Sequence, residues 1–232
     1  TPESTLFERM DASKTGIEFS NDLTYSNDFN VYQYRNFYNG GGVSIGDLNN
    51  DGLMDIYLTA NQKENKLYIN KGNFEFEDIT LTAGVGGSRA WSTGVTMVDI
   101  NADGLIDIYV CNSGDVQGDN KENELFINQG DDTFLEKAKE YNLADNGFST
   151  HAAFFDYDKD GDLDVYLLNN SYQAIGSFDL RRNERPKRDA MGGDKLMENR
   201  GGKFYDVSEK AGIYGSVIGF GLGVTLGDVN ND

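Results

Sequence analysis

Asp156-Tyr157-Asp158-Lys159-Asp160-Gly161-Asp162-Leu163-Asp164 places five carboxylates within nine residues. Carboxylates at every second position would repel one another on a half-buried strand, so the run requires a solvated loop or a bound cation. The spacing favours the cation. A hard divalent ion such as Ca²⁺ takes about six to eight oxygens, and a tight loop offers side chains at positions 1, 3 and 5 plus a backbone carbonyl at 7. Gly161 at position 6 permits the turn that brings those groups inward, and Asp164 at position 9 adds a last carboxylate. An EF-hand closes with Glu at position 12 between two helices. Here that position is Leu167, and the flanking apolar runs Ala152-Ala153-Phe154-Phe155 and Val165-Tyr166-Leu167-Leu168 read as strands.

The loop recurs. Asp47-Leu48-Asn49-Asn50-Asp51-Gly52-Leu53-Met54-Asp55 and Asp99-Ile100-Asn101-Ala102-Asp103-Gly104-Leu105-Ile106-Asp107 keep its key positions, with Asn at position 3. A fourth copy begins at Asp228-Val229-Asn230-Asn231-Asp232. Each period shares one grammar. An apolar segment precedes the loop (Val43 to Ile45, Val95 to Val98, Ala153 to Phe155, Val224 to Leu226), and Ile56-Tyr57-Leu58, Ile108-Tyr109-Val110 or Val165-Tyr166-Leu167 follows it. A third strand is expected at NKLYIN (65–70), NELFIN (123–128) and DKLMEN (194–199), with hairpin glycines at 72, 130 and 201. A fourth is expected near 74–79, 134–138 and 204–207.

Four antiparallel strands per period of roughly fifty residues match a propeller blade, whereas β-helix coils are much shorter. The fold expected is therefore all-β, a β-propeller, with the near-continuous apolar first strand covered on both faces by neighbouring blades. Expected blades cover about 40–90, 91–148 and 149–216, with a partial one at 217–232, after a closing strand and connector at 1–39. Residues 7–17 (FERMDASKTGI) resemble blade endings such as 204–213 (FYDVSEKAGI), which suggests an outer strand that completes a blade from the far end of the chain. Three blades and a fragment do not make a ring of the usual four to eight, so a longer parent protein is expected.

Composition agrees with many short strands and tight turns: 28 glycines, two prolines, 13 tyrosines and 14 phenylalanines in 232 residues. The formal charge of -19 repels nucleic acid and anionic lipid, and suits cations or a basic partner. Cys111 is the only cysteine, so no intramolecular disulfide forms, and its apolar flank reads as a buried thiol. No stretch reaches the roughly eighteen apolar residues of a membrane span. The start at Thr1 leaves room for a removed N-terminal signal and, through it, a lipoprotein-type membrane anchor.

Other stretches attract competing readings. The connector aromatics Tyr25, Phe29, Tyr32, Tyr34, Phe37 and Tyr38 serve either as packing or, beside amides, as sugar-stacking platforms. Arg181, Arg182, Arg185, Lys187 and Arg188 form a basic insertion suited to an acidic partner, an anionic glycan or internal pairing. Gly42-Val43-Ser44-Ile45-Gly46 matches the pattern of a nucleophile elbow, but a metal loop follows it where a helix is required. The lone His151 stands where the other periods carry Gly42, Gly94 and Gly223.

The repeated Asp-x-Asn/Asp-x-Asp-Gly-x-x-Asp loops resemble the FG-GAP and VCBS repeats of integrin-like calcium-binding propellers. With the Asn-x-Leu-Tyr/Phe-Ile-Asn strands and Ala-Gly-Val/Ile endings, the chain is most similar to bacterial relatives of cartilage acidic protein that carry ASPIC/UnbV domains. Phe220-Gly221 has no Gly-Ala-Pro after it, which favours the VCBS side, and no ASPIC/UnbV region is present. The resemblance implies a seven-bladed propeller at the bacterial cell surface or outside the cell, engaged in binding or adhesion. Calcium ligands carried over with it are the side chains of Asp47, Asn49, Asp51 and Asp55 with the Leu53 carbonyl, and those of Asp99, Asn101, Asp103 and Asp107 with the Leu105 carbonyl. The third set is Asp156, Asp158, Asp160 and Asp164 with the Asp162 carbonyl, and Asp228, Asn230 and Asp232 begin a fourth. The functional expectation is a calcium-stabilised scaffold for a protein or glycan partner. A polysaccharide-processing enzyme on the same scaffold, or a structural subunit of a cell-surface complex, are the alternatives.

Overall fold

The computed structural model describes residues 6–89, 91–114, 121–173, 175–179 and 181–228. Among them, twelve strands form three four-stranded antiparallel sheets, each in chain order. The first sheet contains β1 (Val43–Gly46), β2 (Asp55–Leu58), β3 (Lys66–Asn70) and β4 (Phe76–Asp78). The second contains β5 (Ser92–Val98), β6 (Asp107–Asn112), β7 (Glu124–Asn128) and β8 (Phe134–Glu136). The third contains β9 (Ser149–Phe155), β10 (Asp164–Asn169), β11 (Lys195–Asn199) and β12 (Phe204–Asp206). Register follows the repeat, with Gly46 opposite Asp55, Val98 opposite Asp107 and Phe155 opposite Asp164. Each of the three complete acidic loops therefore bridges the first and second strands of its sheet.

Successive sheets pack face to face. Tyr57, Leu67 and Ile69 of the first sheet meet Val95, Ile108, Val110, Phe126 and Phe134 of the second. The opposite face of the second sheet, with Tyr109, Cys111, Leu125 and Ile127, meets Ala152, Val165, Leu167 and Phe204 of the third. In the middle sheet β6 and β7 are buried along their whole length, because alternate side chains feed two different cores. As expected, the first strand β5 is flanked on both sides, by β1 and by β9, yet its own burial is less complete than that of β6 and β7. The first strands approach one another through glycine backbone: a Cβ on Gly94 would lie 2.4 Å from the Thr150 carbonyl oxygen. Thr96 Oγ1 donates across that seam to the Ala152 carbonyl at 2.7 Å.

Two further expectations change. Residues 6–11 pair in no sheet; the likeness of 7–17 to blade endings lies instead in a single helical turn. That turn, α1 (Ala12–Thr15), ends on left-handed Gly16. It matches α2 (Thr80–Ala83), which ends on Gly84, and α3 (Ala138–Tyr141), which ends on Asn142. Residues 224–226 carry the right apolar pattern but no strand, since no neighbour pairs with them among the described residues. A strand needs a ladder partner, and pattern alone does not supply one.

The connector is a strap across the sheets. Asn21 hydrogen-bonds Asn61 beside the first sheet, and the Tyr34 hydroxyl lies 3.0 Å from Ser113 Oγ beside the second. The Arg35 guanidinium donates to the Ser171 carbonyl and to Asn170 Oδ1 beside the third. Phe29, Tyr34 and Phe37 pack on Trp91, with ring centroids 5.1, 5.6 and 5.2 Å away.

Candidate metal sites

Each acidic loop is wound by its own side chains. In the first, the Asp47 carboxylate accepts the Asp51 and Gly52 N–H groups at 3.0 and 2.8 Å, Asn49 Oδ1 accepts Asp51 N–H, and Asp51 Oδ1 accepts Leu53 N–H. The second repeats this with Asp99, Asn101 and Asp103, whose acceptors hold Asp103, Gly104 and Leu105 N–H. In the third, Asp156, Asp158 and Asp160 accept Gly161, Asp160 and Asp162 N–H. Position 6 is left-handed throughout, with φ of 84°, 88° and 96° at Gly52, Gly104 and Gly161. Position 4 is left-handed too, at Asn50, Ala102 and Lys159, a feature the sequence reading did not anticipate because none of these is glycine.

The position-9 aspartates differ from the other candidate ligands. Asp55, Asp107 and Asp164 are buried, and each carboxylate accepts two backbone N–H groups. Asp55 takes Leu48 and Asn70 N–H at 2.9 and 2.8 Å; Asp107 takes Ile100 and Asn128 at 3.1 and 2.8 Å; Asp164 takes Tyr157 and Asn199 at 2.7 and 2.8 Å. Each one ties its loop to the end of the third strand. Burial pushes the Asp107 carboxyl up to about 6, against the pull of its two N–H partners, with Asp103 and Asp99 adding repulsion. A carboxylate has about four lone-pair sites, so two N–H bonds leave acceptor capacity for a cation.

The closing asparagines were legible as part of the NxLYIN pattern, but their role was not. Asn70, Asn128 and Asn199 donate through Nδ2 to the position-8 carbonyls of Met54, Ile106 and Leu163. Through Oδ1 they accept the turn N–H of Gly72, Gly130 and Gly202. The exact recurrence of Asn at that register was the signal available.

Among the described residues, the third loop is where three carboxylates converge: an oxygen from each of Asp156, Asp158 and Asp164 lies within 4.8 Å of the others. Asp162 Oδ1 is buried without a hydrogen-bond partner there, and its carboxyl is raised by burial first and by Asp160, Asp164, Asp158 and Asp156 next. A cation relieves the carboxylate repulsion, so this donor set fits a hard divalent ion. The first two loops carry the same backbone frame with one carboxylate fewer among the candidate ligands, Asn standing at position 3. Of the fourth, Asp228 is described, while Asn230 and Asp232 lie outside the described residues.

Ser44 and His151 both lie in the first strands of their sheets. Ser44 sits within β1 opposite Tyr57, and its Oγ accepts Met97 N–H at 3.2 Å, away from any strand-to-helix turn. His151 lies in β9, where Nδ1 sits 2.8 Å from the Ala152 backbone nitrogen and 2.9 Å from the Ala152 carbonyl oxygen. Cys111 is buried, and burial raises its thiol far above the ordinary range. In the basic insertion Arg181 and Arg182 share Asp179, and Arg188 donates to the Ile213 and Tyr214 carbonyls. No helix among the described residues is long and apolar enough to cross a membrane.

The model of the FG-GAP-like repeat matches residues 47–110 and 99–167, each match running from the first aspartate of one loop through the next loop. Cartilage acidic protein 1 of Mus musculus is 29% identical over 164 residues, which cover 68% of this chain and 23% of that protein. The Homo sapiens protein of the same name is 28% identical over 167 residues, covering 69% and 23%. The chain thus spans less than a quarter of the length of the curated relatives it matches.

Proposed function

The chain belongs to the FG-GAP-like repeat family, and from this premise we propose that it is part of an extracellular calcium-binding β-propeller that serves as a scaffold for a protein or glycan partner. Each four-stranded sheet is one blade, with boundaries near 40–90, 91–148 and 149–216, and residues 217–232 begin the next. The observation that carries the reading is the recurrence of one wound loop in three consecutive sheets, with inward acceptors at positions 1, 3 and 5 and a buried aspartate at position 9. In the third loop Asp156, Asp158 and Asp164 would hold the ion, with Asp160 and the Asp162 carbonyl beside them. Asp47, Asn49, Asp51, Asp55 and the Leu53 carbonyl would serve in the first, and Asp99, Asn101, Asp103, Asp107 and the Leu105 carbonyl in the second. The bound ion supplies positive charge that cancels carboxylate repulsion and locks the loop. Mg²⁺ fits less well, because its small octahedral shell keeps several waters.

Calorimetric calcium titration after chelation tests this. Binding is expected with Kd of about 10⁻⁴ to 10⁻³ M, tightest at the third loop, which has the most carboxylates. At a hundredfold excess of calcium over Kd, each site adds about 2.7 kcal/mol to stability. Asp158→Asn should weaken the tightest site while leaving the others intact. Absence of calcium heat, or the tightest binding remaining after that substitution, refutes the assignment, and turnover of a bound partner refutes the scaffold role.

A further inference from the structure

Where the strap meets the end of the third sheet, a cleft of about 140 Å³ is lined by Tyr32, Gln33, Arg35, Asn170, Tyr172 and Gln173 among others, and by no carboxylate. On a chain with 39 acidic residues this absence of negative charge is unusual. The one cation present is already engaged: Arg35 donates to the Ser171 carbonyl and to Asn170 Oδ1, and its guanidinium carbon lies 4.2 Å from the centre of the Phe220 ring. The cleft therefore offers aromatic surface and amide groups without a free charge.

Its aromatic surface is presented rather than buried. Tyr172 stacks on Phe148 at 4.9 Å and 22°, which fixes its ring from behind and leaves it 46% exposed. Tyr32 is 94% exposed, its backbone N–H held at 2.9 Å by Asn30 Oδ1. Gln33 uses its Nε2 on the Asn27 carbonyl at 3.2 Å and keeps Oε1 without a partner among the described residues, and Gln173 is held by its backbone N–H, which donates to Ser171 Oγ at 3.3 Å. A ring fixed by its neighbours loses little freedom on contact with a ligand, and amides supply both donors and acceptors.

We propose that this cleft binds a neutral glycan of β-1,4-linked hexopyranoses, an assignment that rests on the scaffold reading above. Equatorial linkages make such a chain a flat ribbon whose axial C–H faces lie on tyrosine rings while its hydroxyl edges reach Gln33 and Gln173. An anionic glycan finds no unpaired cation in the cleft to meet it. The volume accommodates about one sugar ring, so neighbouring rings extend over the exposed tyrosine surface.

Titration calorimetry of the full chain in millimolar calcium, with cellohexaose and mannohexaose as probes and polygalacturonate as the charged comparator, tests the proposal. Saturable binding of at least one neutral hexasaccharide is expected, weakened at least tenfold in Tyr32→Ala and Tyr172→Ala and retained in Tyr172→Phe, which keeps the ring. Absence of binding to both neutral probes, binding unaffected by the alanine substitutions, or tighter binding of polygalacturonate overturns it. Calcium titration and circular dichroism on the same samples separate the two claims. Intact calcium binding without sugar binding overturns the cleft alone, whereas loss of calcium binding in the unaltered chain removes the scaffold reading as well.

Discussion

At the scale of single residues, the position-9 aspartate does more than a ligand list suggests. Because Asp55 satisfies two N–H groups from inside the protein, Asp55→Asn turns an amide NH₂ toward one of those donors. The expected loss is about 1–3 kcal/mol in urea unfolding with chelator present, so that calcium plays no part. Asn49→Ala, which removes one acceptor at a half-buried position, should cost less than about 1 kcal/mol under the same conditions. Equal effects from the two would contradict the bracing role. Position 4 gives a prediction of opposite sign. Ala102 holds φ of 57°, where Asn50 holds 58° in the first loop, and asparagine tolerates this region better than alanine. Ala102→Asn should therefore stabilise by about 0.5–1 kcal/mol, read from the urea midpoint. The carboxylate spacing was legible because side-chain identity encodes it, whereas the left-handed position 4 has no shared residue type to announce it.

At the scale of elements, twelve strands follow from alternation and from turn glycines, and their observed limits fall within or close to the expected ones. What alternation could not supply was which strands are buried twice. The periodic glycine of the first strand is there for proximity, not flexibility: on Gly94 a methyl group meets the Thr150 oxygen at 2.4 Å and His151 Cα at 3.0 Å, both backbone. Gly94→Ala must separate β5 from β9 and should cost about 1–3 kcal/mol. On Gly46 the nearest atom is Met97 Sδ at 2.9 Å, the end of a flexible side chain, so Gly46→Ala should cost well under about 1 kcal/mol. Thermal unfolding of the pair checks the ordering, and a milder Gly94 variant would mean the seam can open without penalty.

At the scale of the whole molecule, the strap joins what the repeats leave separate. Sheets in a repeat array contact only their neighbours, yet residues 21–37 reach Asn61, Trp91, Ser113 and Asn170 in turn. Phe37 is completely buried against Trp91 and Phe29. Phe37→Ala should cost about 3–5 kcal/mol by denaturant unfolding, as a large cavity at a junction would. Retention of full stability would show that the strap merely lies on the sheets.

The sequence by itself determined the repeated unit, its acidic loop and its four strands, because short-range spacing and alternation specify local geometry. Only the tertiary structure decided the rest. It turned the position-9 aspartates into buried braces and divided the connector aromatics between a Trp91 core and an exposed surface. It also placed Tyr32 of the strap in one cleft with Tyr172, which follows the second strand of the third sheet. Those outcomes depend on residues far apart in the chain competing for the same space, and no local pattern records the result of that competition.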